Sequence, residues 1–374
     1  MSLGFNAIGY LPSWNYYSGT SPSNIPAESL THLVYDTQAD FKSASTSSLK
    51  GLMGYINNKD GEIRTRNPDI KTIISVGGWT WSKDFSIVAR TSESRELFSQ
   101  SVVDFIDTYG FDGVDIDWEF PVEGGDDRNS RDQSDGANLV HLLNTIRSGL
   151  NNLSSTKYGN AKRFEIGIAV SSSIKINEHI DVKAVSNIVD FVNIMGYDFS
   201  GSWSAKTEHA SNLYDSNLVQ TGLSVDQVVK YYLSKGSNSK KLIVGCPLYA
   251  VGFAVTDPVN ITVDLGLNKS VRKLQDSDGV KSLMTYDELD TYFQNNINDL
   301  SKVYDTTAKS TSLYNRKTNI WISYESSYSI SNKLAYVNSN SLGGIMYWDV
   351  TNDSKSRAIN YVYKYINSMN KSKH

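Results

Sequence analysis

Asp112, Asp115, Asp117 and Glu119 put four carboxyl groups into the stretch Phe111 to Pro121, which reads FDGVDIDWEFP. The rest of the stretch has the Val, Ile, Trp and Phe content of a buried strand. Strand side chains alternate faces, so Asp115, Asp117 and Glu119 point one way and Val114, Ile116 and Trp118 the other. At roughly 3.3 Å rise per residue, the three acids form a ladder about 13 Å long. Ionised carboxylates gathered in a low dielectric repel one another, so the ladder must line a polar cleft and share protons. A like-charged neighbour raises a carboxyl pKa and keeps an acid protonated near neutrality, which is what proton donation to a substrate needs.

Two other readings fit the same pattern less well. A solvated edge strand would waste Trp118, Phe111 and Phe120 on a surface. Asp-rich strands also hold Mg²⁺, but the nearest histidine, His141, falls in the helix that follows. No metal and no cofactor is expected. Asp112 falls on the opposite face from the ladder, where structural hydrogen bonding is the expected role.

A ladder of this kind needs a rigid sheet around it. Ala7–Pro12, Thr31–Tyr35 and Lys71–Val76 read as the first three strands, the third running into Gly77 and Gly78. Ser94–Tyr109 repeats apolar residues at helical spacing and stops at Gly110, delivering the chain to the acidic strand. After a polar loop, Ala137–Leu153 is a helix, Phe164–Val170 and Phe191–Met195 are the fifth and sixth strands, and Leu223–Ser234 is a helix. Leu242–Cys246 and Gly344–Trp348 are the seventh and eighth strands. Strands alternating with helices argue a parallel sheet, and eight of them argue an α/β (β/α)₈ TIM barrel. The long interval before the eighth strand predicts a small insertion at 252–317 within a single catalytic domain spanning 1–374, with a helix at Ser329–Ser339 leading back to the barrel.

Composition narrows the function. The chain has 374 residues and a net charge of −4, with both signs interspersed, which gives no nucleic-acid footprint. No apolar run approaches membrane-spanning length, so no membrane partner is expected. The opening MSLGFNAIGY has neither a basic nor an apolar signal region, so a secretion signal is read as absent from this chain. The single cysteine, Cys246, excludes an internal disulfide and reads as a small core residue. The 23 tyrosines and 7 tryptophans suit sugar stacking as well as they suit a core.

With these residues in place, FDGVDIDWEFP resembles the DxxDxDxE signature of glycoside hydrolase family 18, the chitinase family. Four further stretches agree in order: Ser75–Gly78 with the family's SxGG, Met195–Asp198 with its MxYD, Cys246–Tyr249 with its G-x-P-x-Y, and Leu342–Trp348 with its eighth-strand ending. The resemblance implies substrate-assisted retaining hydrolysis of β-1,4-linked N-acetylglucosamine polymers. Glu119 would be the proton donor, Asp117 and Tyr197 would hold the substrate's acetamido group, and Asp115 would share a proton with Asp117. Asp198 and Trp348 would bind the sugar beside the scissile bond. Met195, Tyr10, Trp79 and Tyr249, with Trp81 and Trp203, are further candidates for lining the cleft. The implied partner is chitin or its oligosaccharides, met by a monomer outside the cell. An endo-β-N-acetylglucosaminidase, a peptidoglycan hydrolase and a chitin-binding lectin share the pattern; the lectins lose the acid, which here is present as Glu119. Two departures bear on affinity: Ala250-Val251 stands where the family often has Gly-Arg, and Thr37 stands where an aromatic is common.

Overall fold

Eight short apolar runs form the parallel strands of a closed barrel. They are β1 (Asn6–Pro12), β2 (His32–Asp36), β3 (Lys71–Gly77), β4 (Gly113–Asp117), β5 (Glu165–Val170), β6 (Phe191–Ile194), β7 (Leu242–Pro247) and, at the far end of the chain, β14 (Gly344–Trp348). Their order around the barrel is β1, β14, β7, β6, β5, β4, β3, β2, so each strand after the first pairs with the barrel strand before it and β14 also closes the ring onto β1. The computed structural model describes residues 5–17, 21–36, 56–57 and 61–371, and Thr37 lies outside them.

The period-two alternation divides the core as the sequence predicts. Val114, Ile116 and Trp118 of the acidic stretch face outward and join one apolar cluster with Val102 and Ile106 from the helix Ser92–Tyr109 and Leu139, Leu142 and Ile146 from the helix Asp135–Tyr158. Trp118 stacks on Phe85 at 5.3 Å between ring centroids. The first of those helices stops where glycine permits a left-handed residue, Gly110 at φ 78°, with its N–H returning to Ile106 O. Inside the barrel, Ile8, Val34, Ile73, Phe191, Ile243 and Met346 form a separate apolar plug beneath the polar end.

The interval between β7 and β14 is broader than the 252–317 read from the sequence. It opens directly after Leu248 with β8 (Tyr249–Val255) and continues through β9 (Val271–Arg272), β10 (Leu283–Thr285), β11 (Leu300–Asp305), β12 (Ser310–Asn315) and β13 (Ile320–Tyr324). These six form an antiparallel sheet in the order β10, β8, β13, β12, β11, with β9 on β8 and the helix Tyr286–Asn296 against it. Both misjudged edges have one cause. Tyr249–Val255 and Ile320–Tyr324 are buried strands of the insertion's own sheet, and an apolar run does not reveal which of two sheets it joins. Tyr249 accordingly belongs to the insertion rather than to the seventh barrel strand. Among the described residues, no helix is long and apolar enough to cross a membrane.

Candidate active site

The C-terminal ends of the barrel strands surround a cavity of about 280 Å³. Asp117, Glu119, Tyr197, Asp198 and Trp348 all line it, as do Met195 and the rings of Tyr10 and Trp79. Asp115 lies one layer down and is fully buried. The ladder therefore runs from the barrel interior to the cleft, and one detail of its geometry differs from expectation. Strand β4 ends at Asp117, so Glu119 stands beyond the last ladder hydrogen bond. Other groups hold it there: Ser82 Oγ accepts from the Glu119 N–H at 2.8 Å, and Asn129 Nδ2 donates to the Glu119 carbonyl at 2.6 Å. The neighbouring β3 turn fits only because Gly77 has no side chain; a Cβ there would lie 2.1 Å from the Asp117 carbonyl oxygen.

Each rung has its own surroundings. Asp115 Oδ2 accepts from the Tyr10 hydroxyl at 2.7 Å and from Ser75 Oγ at 2.9 Å. Tyr10 in turn accepts from Asn193 Nδ2 at 2.8 Å. Tyr10 is 2% exposed with its hydroxyl turned onto Asp115, which suits it to holding that carboxyl from the cavity side. Burial pushes the Asp115 carboxyl up to about 6 against those two hydrogen bonds. Asp117 and Glu119 have no side-chain hydrogen-bond partner among the described residues. Burial and the charges of Glu119, Asp115 and Asp36 hold Asp117 well above the usual carboxylate range. Glu119 is pushed up to about 8 by burial, then by Asp36 and Asp198. A glutamic acid so placed keeps its proton at neutral pH and can donate it.

The binding candidates sit around these acids. Asp198 adopts φ 56° and accepts from the Tyr249 hydroxyl at 2.5 Å; it opens to the cleft, and the walls around it raise its carboxyl. Tyr197 packs edge-on to Tyr249, with its hydroxyl near Met346 Sδ. A second cavity continues the cleft past Glu119, Met195, Tyr197 and Asp198 to Phe120, Ser171, Ser172 and Trp203. Trp79, Trp81 and Trp203 stand on the rim with 56%, 42% and 68% of their surface exposed, unusual for tryptophan unless something covers it. Asp112 is separate from all of this, at the other end of β4.

Sequence reasoning missed several cavity residues, Trp14 and Asp36 among them. Trp14, two residues past β1, lies 6.5 Å from Trp348 between ring centroids. Asp36 is the last residue of β2, which the sequence reading ended one position early at Tyr35. A signal for both existed: each follows a barrel strand toward its C-terminal end.

The family described as Glycosyl hydrolases family 18 matches residues 6–353. Chitinase A1 of Niallia circulans is 34% identical over 316 residues, covering 81% of this chain and 43% of its own length. Endochitinase 1 of Metarhizium robertsii is 29% identical over 371 residues, covering 93% of this chain and 81% of that one. The chain thus spans less than half of the first relative and about four-fifths of the second. Among solved structures, the class V chitinase of Nicotiana tobaccum superposes with a TM-score of 0.80 at 25% identity, covering 96% of this chain and 98% of that one.

Proposed function

The chain belongs to the glycosyl hydrolases of family 18, and we propose that it hydrolyses β-1,4 bonds in N-acetylglucosamine polymers, chitin foremost, with retention of configuration. The observation that carries this reading is the pairing of two unpartnered acids, Asp117 and Glu119, in one cavity with Tyr197 and Trp348. Glu119 gives its proton to the glycosidic oxygen as the C1–O bond breaks. The substrate's own acetamido oxygen bonds to C1 and forms an oxazolinium ion, a neighbouring-group attack that gains the large effective molarity of intramolecular reactions. Asp117 accepts from the acetamido N–H, Tyr197 donates to the acetamido oxygen, and Trp348 forms the apolar floor under the sugar. Water then attacks C1 as the bond to the acetamido oxygen breaks and the acetamido group is regenerated; the water loses its proton to the Glu119 carboxylate, and the acid is restored.

The relatives' names support the substrate class, and a mutant of the tobacco enzyme has been solved in complex with NAG4. The exposed rim tryptophans suit stacking on further sugars. Action outside the cell, as a monomer, suits a substrate of this size. The test is turnover of a chromogenic chitobioside, followed by NMR of fresh products from partially acetylated chitosan. New reducing ends should be N-acetylglucosamine in the β configuration, and a thiazoline analogue of the oxazolinium ion should inhibit. Initial α-anomer, or glucosamine at new reducing ends as often as N-acetylglucosamine, would exclude the mechanism. N-glycans and peptidoglycan as parallel substrates separate chitin cleavage from the related activities.

A further inference from the structure

Six carboxyl groups crowd the catalytic end of the barrel: Asp36, Asp115, Asp117, Glu119, Asp198 and Asp349. Three are occupied. Asp115 accepts from Tyr10 and Ser75, Asp198 accepts from Tyr249, and Asp349 accepts from the Thr351 N–H and hydroxyl and from Asn352. The other three, Asp36, Asp117 and Glu119, have no hydrogen-bond or ion-pair partner among the described residues, and all three line the same cavity. Two of them are the residues to which the proposed chemistry falls. The third has no role in it.

Asp36 is not a surface acid that happens to lie nearby. It is 5% exposed, at the end of β2, in register with Pro12 of β1 and Ser75 of β3. A buried carboxyl with neither cation nor donor is costly to ionise, and at a strand end it is ordinarily paired. Among the described residues, the charged groups that act on it or that it acts on are all acids: Asp115 and Asp117 from β4, Glu119 beyond it, and Asp349 after β14. No Lys, Arg or His lines the cavity among the described residues.

We propose that Asp36 is a positioning residue for the acid catalyst, a further member of the carboxyl array that acts on Glu119 through its charge and sets the pH up to which Glu119 stays loaded. This rests on the reading of Glu119 as the proton donor. Asp36 is itself pushed up to about 7 by burial and then by Asp115 and Asp349, so it gains charge in the range where the donor must keep its proton. Its charge opposes the loss of that proton.

The test is substitution Asp36→Asn, which keeps the shape and removes the charge. In substrate-free protein carrying ¹³C-labelled Glu carboxyls, the Glu119 titration midpoint should fall by about one unit, the scale of a like charge nearby. The alkaline limb of kcat/KM on a chitobioside should move to lower pH by the same amount, and Asp36→Glu should restore it. A purely structural role would lower the rate at all pH values and leave the midpoint in place. A Glu119 midpoint within about 0.2 unit of wild type would overturn the proposal. Should the Asn variant fold poorly, Asp36→Ser is smaller and neutral and must show the same displacement. The titration is read without substrate, so it stands or falls separately from which polymer is cut.

Discussion

The two ends of the barrel treat carboxylates in opposite ways. At the N-terminal end, Asp112 meets Arg64 at 2.8 Å and Lys162 at 3.1 Å, Asp190 meets Arg147 and Arg163 at 2.5 Å each, and Glu165 meets His32 at 2.8 Å. At the C-terminal end, none of the six carboxyls has a cation within 4.0 Å among the described residues. The consequences for ionisation are opposite too. Burial works against the Asp112 charge, but the Thr72 N–H, Arg64 and Lys162 outweigh it and hold the carboxyl below its usual range. Asp190 behaves alike, with burial outweighed by Arg163, the Ile166 N–H and Arg147. Asp115, three residues after Asp112 on the same stretch, is instead raised. One end uses its acids to hold the barrel closed; the other leaves them unpaired, at a cost in stability, so that protons remain available.

Exchanging an acid for its amide at each end is the sharpest way to test this contrast. Glu119→Gln keeps size and hydrogen bonding but removes the transferable proton, and kcat should fall by about 10²–10⁴-fold or more while oligosaccharide binding survives. A variant with a tenth of wild-type kcat would mean that Glu119 is not the donor. Asp117→Asn should cost more activity than Asp115→Asn, because Asp115 is sealed beneath Tyr10 and does not line the cavity. The reverse order in folded protein would invert the ladder.

Stability should respond at the other end. Arg64 also bonds the Asn57 and Ile70 carbonyls, so Arg64→Met should destabilise by about 2 kcal/mol at pH 7 in urea unfolding. The Asp112 carboxyl is lowered in the fold, so its contribution is present above the unfolded pKa and is lost as pH falls. The deficit should accordingly shrink in acid. Turnover should change less than about twofold, since Arg64 lies at the opposite end from the chemistry.

The smallest effect runs the other way. Asp117 is raised in the fold, so its contribution to stability is present below the unfolded pKa and fades as pH rises toward the folded one. Asp117→Asn removes that loss. It should stabilise the protein at pH 8 and hardly at all at pH 4, read from the same urea curves. A gain equal at both pH values would show that the carboxyl's charge is not the source.

Some of this was determined by the sequence alone. The period of a strand is local, so FDGVDIDWEFP by itself sends Asp115 and Asp117 inward and Val114, Ile116 and Trp118 toward the helices. Gly110 ends a helix for the equally local reason that it accepts φ 78°. The alternation of strands and helices was enough for the barrel, and five motifs in order were enough for the family. Other features were settled only when the sheet closed. Tyr10 reaches Asp115 across 105 residues of chain because β1 and β4 share one barrel interior, and no pattern near either residue encodes that meeting. Asp36 and Trp14 join the cavity by the same closure. Whether an acid finds a cation also depends on register: Asp112 meets Arg64 and Lys162, brought from before β3 and before β5, whereas Asp117 has no cation beside it among the described residues. Local period decides which way a side chain points, but the company it keeps there is decided by strands distant in sequence, and that company sets its charge.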